Sequence, residues 1–146
     1  MRLSTRGRYG LRAMVELAQG FKADPVHLQD LAEHQGLSVK YLHSLLASLR
    51  RAGLVRSVRG AGGGYALTRE PSEIKVSEVV RTLEGSMAVV GCVEDRDFCD
   101  RIERCPVRPV WVSLTKTIEA ALSDLTLEDI IARIPDSKAT APMYHI

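Results

Sequence analysis

The sequence has no apolar run that approaches the roughly 18 to 20 residues needed to span a membrane. Its first ten residues, MRLSTRGRYG, hold three arginines and lack the apolar segment of a secretory signal. We therefore expect a cytoplasmic protein with no membrane partner. Of its 146 residues, 45% are hydrophobic and 26% are charged, so the chain has enough apolar material for a folded core.

Signatures of nucleotide binding and of catalysis are missing as well. Neither GxGxxG nor GxxxxGK followed by Ser or Thr occurs, so no phosphate-binding loop between a strand and a helix is predicted. The four histidines, at positions 27, 34, 43 and 145, are scattered and form no Ser/His/Asp constellation. We predict that the protein is not an enzyme.

Cysteine is scarce and clustered. Cys92, Cys99 and Cys105 are the only ones, and they lie within GCVEDRDFCDRIERCP with gaps of six and five residues. An odd set of cysteines in a cytoplasmic protein is poorly explained by disulfides, whereas three neighbouring thiolates suit a soft metal ion or an iron-sulfur cluster. The glycine and aspartates between them predict a polar loop over residues 91–106 that can fold around such a cofactor.

Acidic residues are sparse in the first half of the chain. Residues 1–69 hold eleven Lys or Arg against four Asp or Glu, whereas residues 70–146 hold nine against fourteen. The net charge of +2 does not by itself indicate a nucleic-acid ligand. The basic first half, however, predicts that this part of the protein binds a polyanion.

The basic half also contains a helix-turn-helix pattern. A first amphipathic helix is predicted over residues 5–21, a second over residues 28–35 that ends at Gly36, and a third that Ser38 caps and Gly53 ends. Two helices around a glycine-containing turn are typical of DNA-binding proteins in which the later helix lies in the major groove.

A glycine-rich hairpin follows this pattern directly. In LVRSVRGAGGGYALT, residues 54–68, two runs rich in β-branched or aromatic residues flank a loop with four glycines. Arg56 and Arg59 are expected to place positive charge at its tip, and the whole unit is predicted to be a winged helix whose wing reaches the minor groove or its phosphates. The residues predicted to contact DNA are Arg2, Ser38, Lys40, Tyr41, His43, Ser44, Arg50, Arg56, Arg59 and Gly60.

The second half is predicted to be helical on both sides of the cysteine loop. After the loop, apolar residues recur at alternating steps of four and three, as in the seam of a coiled coil, which favours a dimerisation helix. The seam consists of Val107, Trp111, Leu114, Ile118, Ala121 and Leu125. Thr126 and Asp129 predict the cap of a short last helix that Pro135 ends.

These patterns predict a fold that is mainly α with a small β hairpin, a winged helix-turn-helix plus a long C-terminal dimerisation helix. The expected organisation is a DNA-binding domain over 1–70, a linking helix over 71–90, the cysteine loop over 91–106, the dimerisation helix and short terminal helix over 107–134, and a mobile tail over 135–146.

Three parts of the sequence together resemble the IscR, NsrR and RirA family of iron-sulfur-dependent winged-helix repressors. They are RLSTRGRYGLRAM at the start, LRRAGLVRSVRGAGGGYAL through the recognition helix and wing, and the clustered cysteines before a long helix. The resemblance covers about residues 1–133. It implies a homodimer whose long helices cross, two winged helices on a palindromic operator, and a cluster near the dimer interface. Tyr41 and Arg59 match family positions that contact DNA, and His43 stands where IscR-like members have a glutamate.

The chain departs from the family pattern at the fourth cluster ligand. IscR-like members hold a 2Fe-2S cluster with three cysteines and a histidine three residues after the last one, where this chain has Arg108, and a guanidinium cannot ligate iron. Nitric-oxide-sensing relatives use an acidic residue of the partner's first helix near residue 8, but Arg8 and Arg12 stand here. A loop carboxylate, a small molecule or an open iron position remain as alternatives; the carboxylates are those of Glu94, Asp95, Asp97 and Asp100. A 2Fe-2S cluster is favoured, and the spacing leaves 4Fe-4S open.

The expected mechanism is a population switch. Cluster binding is expected to order the cysteine loop beside the dimerisation helix and so to change the separation of the two recognition helices, in a sensor of iron, oxygen, nitric oxide or redox state. The same residues allow three alternatives: control by zinc, control by thiol redox chemistry with Cys99 and Cys105 near enough to pair, or an iron-sulfur carrier that binds no DNA.

Overall fold

The structure is a computed structural model that describes residues 3–135. Over these residues the chain forms seven α-helices, one β-hairpin and two short 3₁₀ turns, at Pro71–Glu73 and Ile102–Arg104. In chain order the elements are α1 (Thr5–Gln19), α2 (Leu28–Gln35), α3 (Val39–Arg51), β1 (Val55–Val58), β2 (Gly64–Leu67), α4 (Val76–Glu84), α5 (Gly91–Glu94), α6 (Arg108–Ser123) and α7 (Leu127–Ile131). The predicted fold class is confirmed. Two predictions concern residues that the structure does not describe. They are the DNA contact of Arg2 and the tail, of which only Pro135 is described.

The predicted ends of the helix-turn-helix agree with the local geometry. Gly36 ends α2 in the left-handed conformation, with φ of +65°, which glycine adopts without steric cost. The Ser38 hydroxyl oxygen caps α3 by accepting from the Tyr41 backbone N–H at 3.2 Å. The first helix is shorter than predicted, because Gly20 caps it and Phe21 lies beyond its end.

One apolar core joins α1, α2, α3, α4 and the base of the wing. Its fully buried members include Met14 of α1, Leu31 of α2 and Leu45 of α3. The last helix belongs to the same core, since Leu127 of α7 is fully buried and its N–H donates to the Ile74 carbonyl at 3.1 Å. The predicted cap of α7 is confirmed, because Thr126 and Asp129 form a reciprocal capping box.

The wing is an antiparallel hairpin in the register Val55↔Leu67 to Val58↔Gly64. A third segment pairs with it, because Tyr65 and Val26 exchange backbone hydrogen bonds of 2.8 and 2.9 Å. The hairpin is therefore fastened to the connection between α1 and α2 as well as to α3. This second attachment fixes where the wing points relative to the helix-turn-helix.

Helix α6 lies mostly outside the core. Within it only Thr115 is buried, and Val107, Val110 and Leu114, just before and within the helix, remain 50%, 58% and 44% exposed. A row of exposed branched aliphatic side chains on one helix marks a surface suited to a protein partner. No helix within residues 3–135 combines the length and the apolar character that crossing a membrane requires.

Candidate nucleic-acid interface and cysteine segment

The N-terminal half of α3 presents a polar face to solvent. Lys40, His43 and Ser44 are exposed there, while Leu42, on the opposite side of the helix, is fully buried in the core. The burial of one face holds the helix in place, so the exposed side chains are available to a ligand without rearrangement of the backbone. The cap residue Ser38 is exposed at the same end.

Tyr41 is half-buried, unlike the other candidate residues of this helix. Its hydroxyl group lies 3.4 Å from the Thr5 hydroxyl group, at hydrogen-bond distance. Its ring meets the edge of the Tyr9 ring at 6.4 Å between centroids and 89° between planes, a favourable aromatic geometry. Tyr41 thus connects the recognition helix to the start of α1.

The C-terminal half of α3 is held by arginines. Arg50 donates to the Ser57 hydroxyl group of β1 at 3.3 Å, so it connects α3 to the wing. Arg6 of α1 and Arg51 each donate to the Ser48 hydroxyl group at 3.2 Å. The sequence patterns did not identify Ser48 or Ser57, because a serine within a helix or strand carries no local pattern and Arg6 lies 42 residues from Ser48 in the chain.

The wing tip carries one of its two predicted cations. Arg59 and Gly60 are exposed in the loop between the strands. Arg56 is not at the tip as predicted; it lies within β1, opposite Ala66, and its side chain is exposed there. The tip is a tight turn, because a Cβ at Gly63 would lie 2.3 Å from the Val58 carbonyl oxygen.

An exposed ion pair holds the end of α2 against α1. The Glu16 carboxylate lies 2.6 Å from His34 Nδ1 and also accepts from the Gln35 amide. The hydrogen bond from His34 and the negative charge of Glu16 raise the pKa of this histidine. The pair requires a protonated His34 and is therefore lost as the pH rises through the raised pKa of this histidine.

The three cysteines lie in one segment around α5 and the second 3₁₀ turn. Cys92 and Cys105 are half-buried, Cys99 is exposed, and all three are free thiols. Within residues 3–135, no three side chains of the His, Cys, Asp or Glu type are grouped closely enough to hold a metal ion. The structure thus places the three thiols in one polar segment, as predicted, but does not bring them together as a ligand set.

Arg108, the residue at the expected fourth ligand position, contacts this segment differently. Its Nε donates to the Cys92 carbonyl oxygen at 3.1 Å, and it lines a small cavity of about 190 Å³ together with Cys105, Arg96 and Glu103. By chemistry, though not by their present arrangement, three thiolates are suitable ligands for an iron-sulfur cluster, whereas the guanidinium of Arg108 cannot supply a fourth. The hydrogen bond also fastens the cysteine segment to the first turn of α6.

Known proteins are similar to this chain over most of its length. A family model described as Rrf2, iron-dependent transcriptional regulator, matches residues 3–133. The chain is 40% identical over 131 residues to the HTH-type transcriptional regulator IscR of Photorhabdus laumondii, covering 90% of this chain and 79% of that protein. It is 39% identical to the HTH-type transcriptional regulator CymR of Bacillus subtilis over the full length of both.

Solved structures show the same similarity. The structure of CymR, described as the global cysteine regulator of B. subtilis, aligns with a TM-score of 0.77 at 37% identity, covering 92% of this chain and 98% of that one. The structure of T. potens IscR aligns with a TM-score of 0.74 at 43% identity, covering 94% and 95% of the two chains. These relatives are named as transcriptional regulators, not as enzymes.

Proposed function

The chain belongs to the Rrf2 family of DNA-binding transcriptional regulators, and on this premise we propose that it is a homodimer that binds a palindromic operator under the control of its cysteine segment. The domain boundaries expected from the sequence, with residues 1–70 as the DNA-binding unit, are part of the proposal. The controlling ligand is an iron-sulfur cluster held by Cys92, Cys99 and Cys105.

The charge of α3 and the wing is the main support for the proposed DNA-binding surface. From Val39 to Thr68, through α3 and the wing, the chain holds five Lys or Arg and no Asp or Glu. A segment that is rich in cations and has no carboxylate of its own attracts the phosphate backbone and releases its counterions on binding. An exposed helix beside a basic hairpin matches the winged-helix mode of binding.

The candidate residues divide by position into two groups. Lys40, His43 and Ser44 project from the exposed start of α3 and are proposed to contact base edges, which specify sequence. The remaining candidates are proposed to contact the DNA backbone and fix the orientation of the protein. These are Ser38, Tyr41, Arg50, Arg56, Arg59 and Gly60, with Arg2 at the start of the chain.

Replacement of Arg59 by alanine tests the proposed position of the wing. Loss of one phosphate contact per wing is expected to weaken operator binding and to reduce the slope of log K against log salt by about 0.9 for each wing. Fluorescence anisotropy measures the operator affinity and its salt slope over a range of roughly 50 to 300 mM salt. Arg133→Ala removes an equal charge from the end of α7 and is expected to leave the slope unchanged. If the salt slope of Arg59→Ala equals that of the wild-type protein, the wing does not contact the duplex.

The exposed apolar row of Val107, Val110 and Leu114 supports the proposed homodimer. A second copy of α6 would cover these side chains and remove them from water, which is the main driving force for association. Val110 was not part of the seam predicted from the sequence, yet it is the most exposed residue of the row. It lies with Pro109, Leu114 and Thr117 around a shallow depression that can receive a partner's side chain.

Leu114→Glu is expected to convert the dimer to monomers at micromolar concentration. Burial of an unpaired carboxylate in an apolar interface weakens association on the order of 100-fold or more. Analytical ultracentrifugation measures the change. Lys116→Glu places the same charge two residues along α6, on another side of the helix, and is expected to remain dimeric. If both variants remain dimeric, the dimer interface does not include this row.

The cysteine segment is fastened to the proposed dimer helix by two contacts. Arg108 donates to the Cys92 carbonyl oxygen, and the Val89 N–H donates to the hydroxyl group of the buried Thr115 at 3.3 Å. A bound cluster supplies iron-thiolate bonds that oxidants, nitric oxide or iron shortage can break. Because Arg108 contacts Cys92 and shares a cavity with Cys105, a change in the ligands of these two thiols is expected to alter how the segment holds α6.

Thiol-based control is a second candidate, supported by the exposure of Cys99 and the free state of all three thiols. A two-electron oxidant such as a peroxide would convert the Cys99 thiol to a sulfenic acid, and attack by the Cys105 thiolate would then form the disulfide and release water. Zinc on the same thiolates is a variant of this candidate. Anaerobic purification followed by counts of iron, sulfide and zinc distinguishes them, because iron with sulfide supports the cluster and a metal-free protein that responds to oxidant supports the thiol switch.

A further inference from the structure

A single carboxylate holds the start of α1. Glu84, the last residue of α4, directs its Oε1 to the first turn of α1, where it accepts from the Ser4 N–H at 3.0 Å, the Ser4 hydroxyl group at 2.7 Å and the Gly7 N–H at 2.9 Å. Negative charge at a helix N-terminus is favoured by the helix dipole, and the first-turn N–H groups have no partner within the helix. Glu84 satisfies two of these N–H groups from a position 77 to 80 residues away in the chain.

The absence of a side chain at Gly7 makes this contact possible. Gly7 is buried, and a Cβ built on it would lie 2.2 Å from Glu84 Oε1. Gly10, one turn later, allows the same close approach, since its Cβ would lie 2.1 Å from Leu83 Cδ1. Glycine inside a helix is unfavourable by its own propensity. The two glycines therefore indicate a close and specific approach of α1 and α4.

The first turns of α1 in turn support the recognition helix. Arg6 donates to the Ser48 hydroxyl group at 3.2 Å, and Thr5 lies at hydrogen-bond distance from the Tyr41 hydroxyl group. Both residues stand between the two that Glu84 binds. The position of this turn therefore sets the position of two contacts to α3, one near each end of the helix.

Glu84 belongs to α4, the helix that precedes the cysteine segment. Gly85 ends α4 with φ of +80°, Met87 is buried against Val76 and Val80 of the same helix, and Cys92 follows eight residues after Glu84. Glu84 thus ends the helix that links the proposed DNA-binding unit to the cysteine segment. Its carboxylate is directed back into that unit and is not available to DNA.

We propose that Glu84 is a positioning residue for operator recognition, which holds the start of α1 so that Arg6 and Thr5 fix the orientation of α3. This inference rests on the proposed placement of α3 in the major groove. The residue acts through hydrogen-bond acceptance, and it does not touch the duplex. Loss of the acceptor frees the first turn of α1 and lets α3 shift, so base readout is lost before general attraction to phosphates.

The test uses the full-length protein, an operator fragment selected by the wild-type protein from a random duplex pool, and an unrelated duplex of equal length. Glu84→Ala is expected to weaken operator binding about tenfold, the result of losing hydrogen bonds to a charged group, with affinity for the unrelated duplex unchanged within about twofold. Glu84→Gln keeps an acceptor oxygen and is expected to retain most of the operator affinity. Unchanged operator affinity in Glu84→Ala, or equal losses on both duplexes, would overturn the proposal.

A double-mutant cycle with Gly7 tests whether the effect of Glu84 on operator binding arises from its contact with the start of α1. Gly7→Ala alone is expected to weaken operator binding, because its Cβ displaces the Glu84 carboxylate. In the Glu84→Ala background the carboxylate is already absent, so Gly7→Ala is expected to cause no further loss. Additive losses in the two backgrounds would show that Gly7 and Glu84 act independently and would overturn the proposal.

Arg59→Ala, measured in parallel, distinguishes failure of this inference from failure of the proposed DNA surface. If Arg59→Ala weakens binding and Glu84→Ala does not, the wing binds DNA and the role of Glu84 is wrong. If neither variant changes binding, the proposed surface itself is wrong and Glu84 has no recognition helix to position. Operator-selective weakening in Glu84→Ala, together with weakening in Arg59→Ala, supports both.

Discussion

Alanine at Cys92, Cys99 or Cys105 is expected to abolish the visible absorbance of anaerobically prepared protein and to reduce bound iron and sulfide to background. Each of these residues is one of only three cysteines in the chain, and the Arg108 side chain cannot replace a lost thiolate. A cluster that already lacks a fourth cysteine is not expected to survive with two. Absorbance spectra with iron and sulfide counts measure the loss, and ultracentrifugation tests whether the dimer persists.

Two further variants in the same segment sharpen this prediction. Arg101→Ala is the matched control, because Arg101 is exposed and does not line the cavity beside Cys105. Its absorbance is expected to equal that of the wild type. Arg108→His introduces an imidazole next to the thiolates and is expected to slow cluster loss in air. Full absorbance in all three alanine variants would refute the ligand assignment.

Gly64→Ala is expected to detach the wing and to lower the free energy of unfolding by about 3 kcal/mol, an effect typical of strain at a special backbone conformation. The φ of Gly64 is +151°, which residues with a side chain rarely adopt, and a Cβ there would lie 2.3 Å from the Val26 carbonyl oxygen. That oxygen accepts from the Tyr65 N–H, so the clash breaks the pairing that attaches β2 to the rest of the domain.

Urea denaturation measures the change in stability, and anisotropy with operator DNA measures the accompanying loss of affinity. Gly62→Ala provides a matched control in the same loop, because a Cβ at Gly62 meets no heavy atom within 4 Å and its φ is not positive. It is expected to change stability by less than about 0.5 kcal/mol. Equal stabilities for the two variants would mean that the wing tolerates a side chain at its closest approach to the core.

Much of the DNA-binding unit could be predicted because its signals are local. Ser38 caps α3 through a hydrogen bond to an N–H three residues away, and the apolar spacing in α3 matches the buried leucines. The hairpin was predicted from the glycines that its turn requires. The position of Arg56 was wrong by a few residues, since it depends on where pairing of the strands ends.

The candidate site was predicted only in part. The residues at the start of α3 and at the wing tip are exposed as expected, and the cysteines share one polar segment. The sequence patterns missed Ser48, Glu84 and Val110, since a serine, a glutamate or a valine on a helix has no distinguishing local pattern. Ser48 and Glu84 are identified only by their contacts with α1, which is distant in the chain. Val110 is identified only by its exposure on α6.

The sequence alone therefore determined the order and kind of the longer helices and of the hairpin, but not α5, because helix caps, apolar periodicity and turn glycines act over a few residues. Tertiary structure alone decided which of these elements hold one another. It joined Glu84 to the start of α1, Arg6 to Ser48, and Arg108 to the Cys92 carbonyl group. Such contacts depend on how closely packed helices approach, and at Gly7 that approach is possible only because a Cβ is missing.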